Sequence, residues 1–131
     1  MILDTSYFLD LLREDEAAFD AGMELHNEGV TGKVATPTLF ETYYGVGATQ
    51  SEAELRKVQN VLMGYPPVPI TEGIARVAGE LLGRVDAAAG GESGIGSRDA
   101  YIAATARVLD EPVFTRNESH FDRLGVEVIT Y

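Results

Sequence analysis

Three acidic residues stand where a chain of alternating strands and helices would bring carboxylates together. Asp4 follows the apolar start Met1-Ile2-Leu3, Glu41 lies one turn beyond Val34-Ala35-Thr36, and Asp99 follows a glycine-rich stretch. Thr115-Arg116-Asn117 come directly after Val113-Phe114. Counting from Asp99, Ile102, Ala103 and Ala106 fall at i+3, i+4 and i+7, so the carboxylate shares the apolar face of a helix. A charge on a buried face needs a partner or a metal. Three ionised carboxylates about 5 Å apart repel by roughly 3 kcal/mol per pair at an effective dielectric near 20, which a cation would offset. All-oxygen ligation suits magnesium or manganese with several retained waters. Such an ion activates water and stabilises charge building on a phosphoryl oxygen. On this reading Asp99→Asn raises metal-free stability by relieving repulsion, and removes a ligand.

Each residue also has a plainer reading. Asp4 after a strand is a helix N-cap, Glu41 a solvated helix residue, and Asp99 a first-turn acid favoured by the helix dipole. Asn117 would cap the following helix, with Glu118 and Asp122 in solvent. Together these readings require four polar side chains to meet at one sheet edge by coincidence, so a site is favoured. His26 reads as a surface helix residue, and His120 beside Phe121 as a packing or capping residue, with no metal-ligand spacing. Gly94-Ile95-Gly96 belongs to no phosphate-binding loop, since GxxxxGK[ST] is absent and no GxGxxG follows a strand. No G-x-S-x-G elbow occurs.

The elements that must position these residues are short. Met1 to Leu3 is a first strand, followed by an amphipathic run through Tyr7, Phe8, Leu11 and Leu12. A helix over Glu16 to Asn27 ends near Gly29, and Val34-Ala35 forms a strand. Thr36-Pro37 has the form of a cap with proline at the first helical position, opening a helix through Glu41 and Tyr44. Ser51 with Glu54 matches a capping box before Leu55, Val58, Val61 and Leu62. Pro66 to Ile70 allows only an edge strand. Thr71 caps a long helix carrying Ile74, Val77, Ala78, Leu81, Leu82 and Val85. Gly90 to Ser97, with four glycines, is the most flexible stretch. A helix from about Arg98 to Leu109, a strand at Val113-Phe114, a short helix reaching Leu124 and a strand over Val126 to Ile129 complete the chain. Strands separated by helical crossovers argue for an α/β fold with a parallel sheet covered on both faces. In such sheets the site lies beyond the carboxyl ends of the strands.

Composition narrows the chemistry. The 131 residues are 45% hydrophobic and 24% charged, an ordinary globular balance for one domain over 1–131. Without cysteine there is no disulfide, thiolate zinc site, iron–sulfur cluster or cysteine nucleophile. The 21 acids face 10 bases, two lysines and eight arginines, for a net charge of −11. That balance opposes nucleic-acid binding by bulk attraction but permits a local site. It also suggests adaptation to high salt. The start has no basic n-region and no run approaches the roughly 18 apolar residues of a membrane span, so a cytoplasmic location is expected.

Four segments carry a family resemblance. Met1-Ile2-Leu3-Asp4-Thr5-Ser6, Thr38-Leu39-Phe40-Glu41 with Gly45, Ser97-Arg98-Asp99-Ala100-Tyr101-Ile102-Ala103-Ala104-Thr105-Ala106, and Phe114-Thr115-Arg116-Asn117 with His120-Phe121 resemble, in order, the motifs of the PIN-domain family, in particular its VapC-type toxins. The resemblance implies a three-layer α/β/α sandwich around a parallel sheet of about five short strands. It implies magnesium-dependent cleavage of RNA, with manganese able to substitute, and Asp4, Glu41 and Asp99 as metal ligands. The family often has an acid where Asn117 stands; asparagine brings no charge for a second ion, and Glu118 is the neighbouring acid that would substitute. Thr5, Ser6 and Thr115 become groups orienting carboxylates or water, and Arg116 the cation best placed for a phosphate, or for an acid. The implied partners are RNA, a small antitoxin and a second copy in a homodimer. Two other functions compete: a PIN-like binding module without activity, and a phosphatase of the haloacid dehalogenase type. The latter needs a second Asp two residues after the first, where this chain has Ser6.

Overall fold

The computed structural model describes residues 1–131. In chain order the elements are β1 (Ile2–Leu3), α1 (Thr5–Leu12), α2 (Glu16–Asn27), β2 (Val34–Ala35), α3 (Thr36–Thr49), α4 (Glu52–Met63), β3 (Pro67–Val68), α5 (Glu72–Ala88), α6 (Ser97–Leu109), β4 (Val113–Phe114), α7 (Glu118–Arg123) and β5 (Val128–Ile129). All pairings are parallel: Ile2 opposite Val113, Val113 opposite Val128, and Val34 opposite Pro67. A parallel bridge between Ile2 and Lys33 joins the two groups, with Leu3 N donating to Lys33 O and Lys33 N to Met1 O, both at 2.9 Å. The strand order is therefore β3-β2-β1-β4-β5. β3 begins with Pro67 at the edge, where its missing N–H costs no ladder bond.

Each two-residue strand sends one side chain to each face of the sheet. Ile2, Ala35 and Val113 join Ile74, Ala78 and Leu81 of α5, the apolar face of α6, and Phe121 and Leu124. Leu3, Val34 and Phe114 join Tyr7, Phe8, Ala18, Val46, Val58 and Leu62 from α1 to α4. This is the expected three-layer α/β/α arrangement. On the α6 face Ala100, Ala103, Ala104 and Ala106 are buried. Small side chains there let the helix approach the sheet closely, so Asp99 in its first turn lies at the sheet's edge. No helix is long and apolar enough to cross a membrane.

Local signals in the sequence set most helix starts. Asp15, Ser51 and Thr71 accept from the backbone N–H groups of Ala18, Glu54 and Ile74, satisfying otherwise orphaned donors. The last strand is shorter than expected, starting at Val128 rather than Val126, and two helix caps differ from expectation. Ala35, not Thr36, is the N-cap of α3, and Pro37 lies one residue further in. The Ser51 cap is one-sided, because Ser51 N donates to Thr49 Oγ1. The glycine-rich stretch is also pinned more firmly than expected: Asp86 accepts from Ser93 N at 3.0 Å and from its hydroxyl, while Ile95 is buried. Gly94, at φ +83°, supplies the left-handed turn between these anchors.

Candidate active site

The strand order reverses direction at β1, so the crevice beyond the carboxyl ends of β1, β2 and β4 is where an open parallel sheet places a ligand. The ladder continues one residue past β1 and β4: Asp4 N donates to Phe114 O and Thr115 N to Ile129 O. Asp4 and Thr115 are thereby neighbours on the sheet's rim. Asp4 is 5% exposed. Its Oδ1 accepts from Thr5 N, and its Oδ2 from the hydroxyls of Ser6 and Thr115, each at 2.7 Å. The plain N-cap reading of Asp4 holds, since its carboxylate caps α1, and its second oxygen is left to the Ser6 and Thr115 hydroxyls on the sheet's rim. Ser6 and Thr115 hydroxyls lie 3.3 Å apart, and Thr115 Oγ1 also accepts from Asn117 N at 3.0 Å. Behind them the Thr5 and Thr38 hydroxyls meet at 3.1 Å, tying α1 to α3.

Asp99, also 5% exposed, is held from two sides. His120 Nδ1 lies 2.7 Å from Oδ2, and Arg98 Nε donates to Oδ1 at 3.2 Å. Arg98 Nη1 reaches across to Glu41 Oε2. Burial disfavours the Arg98 charge, but the hydrogen bond it donates to Glu41 and the nearby charge of Asp99 outweigh burial and raise the guanidinium pKa.

This geometry changes three sequence expectations. No three Asp, Glu or His side chains come close enough together to hold an ion in this arrangement. Arg98 offsets the charges of Glu41 and Asp99, a role for which the sequence suggested a metal cation. Asp99 has two partners rather than unrelieved repulsion, so the expected stability gain of Asp99→Asn loses its basis. His120 faces an acid instead of serving only packing or capping. The signals available for it were its place at i+3 from Asn117 on α7 and its inclusion in the fourth motif.

The remaining residues spread outward. Asn117 occupies the N-cap position of α7, but its side chain makes no capping bond and is exposed; Ser119 Oγ donates to it at 3.3 Å. Glu118 is exposed on the same turn. Arg116 is not a free cation. Its guanidinium bonds Asp15 at 3.0 Å, pairs with Asp10 at 3.4 Å and lies 5.0 Å from the Tyr131 ring centroid.

The donors around the crevice are all oxygen apart from His120, which suits a hard divalent cation. Glu41 and Asp99 are both paired with Arg98, 42% exposed, so a cation held by Asp4, Glu41 and Asp99 would have to displace that guanidinium.

The model of the PIN domain family matches residues 1–127. The chain belongs to the PIN-domain family. Ribonuclease VapC19 of Mycobacterium tuberculosis is 33% identical to this PIN domain over 120 residues, 92% of this chain and 90% of that protein. The structure of VapBC2 from Rickettsia felis bound to a promoter DNA fragment superposes with a TM-score of 0.83 at 20% identity, covering 99% and 97% of the two chains. FitAcB from Neisseria gonorrhoeae gives 0.80 at 24% identity, covering 98% and 95%. These neighbours share the fold, as does a toxin–antitoxin complex from Klebsiella pneumoniae, with a TM-score of 0.74 at 23% identity over 98% and 95% of the two chains. The family that the four motifs resemble is the family that matches.

Proposed function

We propose that this PIN domain, a single domain over 1–131, is a magnesium-dependent endoribonuclease, with manganese able to substitute. It acts as the toxin of a pair with a small antitoxin, in the cytoplasm and as a homodimer. The observation that carries the reading is the pair of buried carboxylates, Asp4 and Asp99, on the rim of a parallel sheet with Glu41 opposite. A relative named as a ribonuclease, 33% identical over nearly the whole chain, supports the activity. Solved toxin–antitoxin structures of the same fold support the partner.

Asp4, Glu41 and Asp99 would hold the cation. When bound, it would lower the pKa of a coordinated water and stabilise charge on the phosphoryl oxygen. Ser6 and Thr115 fix the Asp4 carboxylate through Oδ2, and His120 fixes Asp99, so neither acid has to reorganise when substrate arrives. Asn117 stands at the mouth of the crevice, where its amide can bond a ribose or phosphate oxygen. Arg98 can follow either acid or phosphate as it leaves Glu41. Its present contact also suits a metal-free binding module, so activity must be tested directly.

The test is cleavage of single-stranded RNA by purified protein with Mg²⁺, with Mn²⁺ and with chelator, for the native chain and Asp99→Asn. Cleavage should need the added metal, survive without zinc, and fall by orders of magnitude in Asp99→Asn. The variant should also be less stable in chelator, by on the order of 1 kcal/mol, because Arg98 and His120 lose an ionised hydrogen-bond acceptor. Full activity in excess chelator overturns the metal mechanism. Absence of any cleavage favours the binding module.

A further inference from the structure

Phe40 and Tyr44 are 71% and 70% exposed, unusual for aromatic rings on a folded domain. They stand at i and i+4 on α3, so the rings meet, with centroids 6.2 Å apart and planes 29° from parallel. Glu41 directly follows Phe40. Both rings share with Glu41, Thr5 and Leu9 an open cavity of about 270 Å³. Thr5 adjoins Asp4 and its hydroxyl contacts Thr38. The aromatic cavity therefore shares Glu41 with the acidic cluster, since Arg98 links that acid to Asp99.

Charge says what such a surface can do. Single-stranded nucleic acid is held by cations along its backbone and by aromatic rings under its bases. Here the first resource is scarce. The chain carries −11; Arg98 is engaged by Glu41 and Asp99, Arg116 by Asp10 and Asp15. Both lysines are paired as well, Lys33 with Glu111 and Lys57 with Glu14. Stacking is the contribution that does not depend on net charge. It is offered beside the acid that faces the crevice.

We propose that Phe40 and Tyr44 form a stacking platform for one unpaired RNA base adjoining the phosphate at the acidic crevice. The inference rests on the ribonuclease reading, and the base it holds must be unpaired, since a base inside a duplex cannot reach a protein ring. The platform sets where the chain is cut by holding the neighbouring nucleotide, and tolerates sequence because every base has a π-face.

The experiment measures binding of a labelled single-stranded oligoribonucleotide in chelator, then cleavage with Mg²⁺, after the cut position has been mapped. Phe40→Ala and Tyr44→Ala should each weaken binding about tenfold, within the range of one lost stack. The loss should appear in KM more than in kcat. Melting temperatures should stay unchanged, and Phe40→Trp should restore binding. An abasic nucleotide beside the cut should weaken the native protein about tenfold and add nothing in the double Ala variant. Native cleavage with no coupling between abasic site and rings overturns the platform alone. If the variants bind RNA normally but shift in size-exclusion chromatography, the rings are a protein interface and the proposal fails. A native chain that cleaves no RNA brings down the ribonuclease reading, and the platform with it.

Discussion

His120 Nδ1 lies 2.7 Å from Asp99 Oδ2, joining α7 to α6 across the rim of the sheet. An ionised carboxylate only accepts, so Nδ1 must carry the proton. The bond holds Asp99 in one rotamer and leaves Nε2 on the far side of the ring. Loss of such a supporting group typically costs about 10- to 100-fold in metal affinity or activity. His120→Ala should fall in that range when Mn²⁺ binding is followed by melting temperature and RNA cleavage is assayed in parallel. His120→Asn, which can donate from a similar position, should recover part of the loss. Unchanged metal response in His120→Ala would reduce the contact to packing.

Arg98 competes with any cation for Glu41 and Asp99. Arg98→Ala should melt lower than the native protein in chelator, because the acids lose their counter-charge. It should bind Mn²⁺ about fivefold more tightly, the equivalent of ~1 kcal/mol for a half-exposed ion pair no longer displaced. Calorimetric titration and melting with and without Mn²⁺ measure both effects. Equal affinity in the two proteins would mean that Arg98 and metal coexist.

Arg116 ties the loop after β4 to α1 and to the start of α2 through Asp10, Asp15 and Tyr131. The hydrogen bond it donates to Asp15 raises its pKa, desolvation opposes that, and the charges of Asp10 and Asp15 add to the rise. Arg116→Ala should lower the melting temperature while leaving RNA kcat/KM per folded molecule within about twofold, as for an exposed ion-pair partner. Large loss of turnover at unchanged melting temperature would return Arg116 to the substrate-contact role read from the sequence.

Glu111 accepts from Lys33 Nζ at 2.5 Å and from the N-terminal ammonium. Burial pushes its carboxyl up, but those hydrogen bonds and charges outweigh burial and hold it below its usual 4.5. A depressed folded-state pKa contributes stability above the unfolded value, lost as pH falls through the lower folded value. Glu111→Gln should therefore melt lower at neutral pH, and the gap should close on acidification below about 4.5. Melting curves across the acid range check this; a constant gap would assign Glu111 a pH-independent packing role.

The elements and family were legible because their signals are local. Apolar pairs at Ile2-Leu3, Val34-Ala35 and Val113-Phe114 mark strands, and Asp15, Ser51 and Thr71 cap helices within a few residues of themselves. Parallel pairing follows from the helices between strands, which in turn puts Asp4, Glu41, Asp99 and Thr115 at one sheet edge. The sequence alone thus determined the fold class, the family and the acids facing the crevice. Tertiary structure decided how those acids are partnered. Arg98 reaches Glu41 57 positions away, His120 reaches Asp99 21 positions away, and Arg116 is captured by Asp15 101 positions away. Long, flexible charged side chains settle wherever packing brings an opposite charge within reach, and no local pattern encodes that destination.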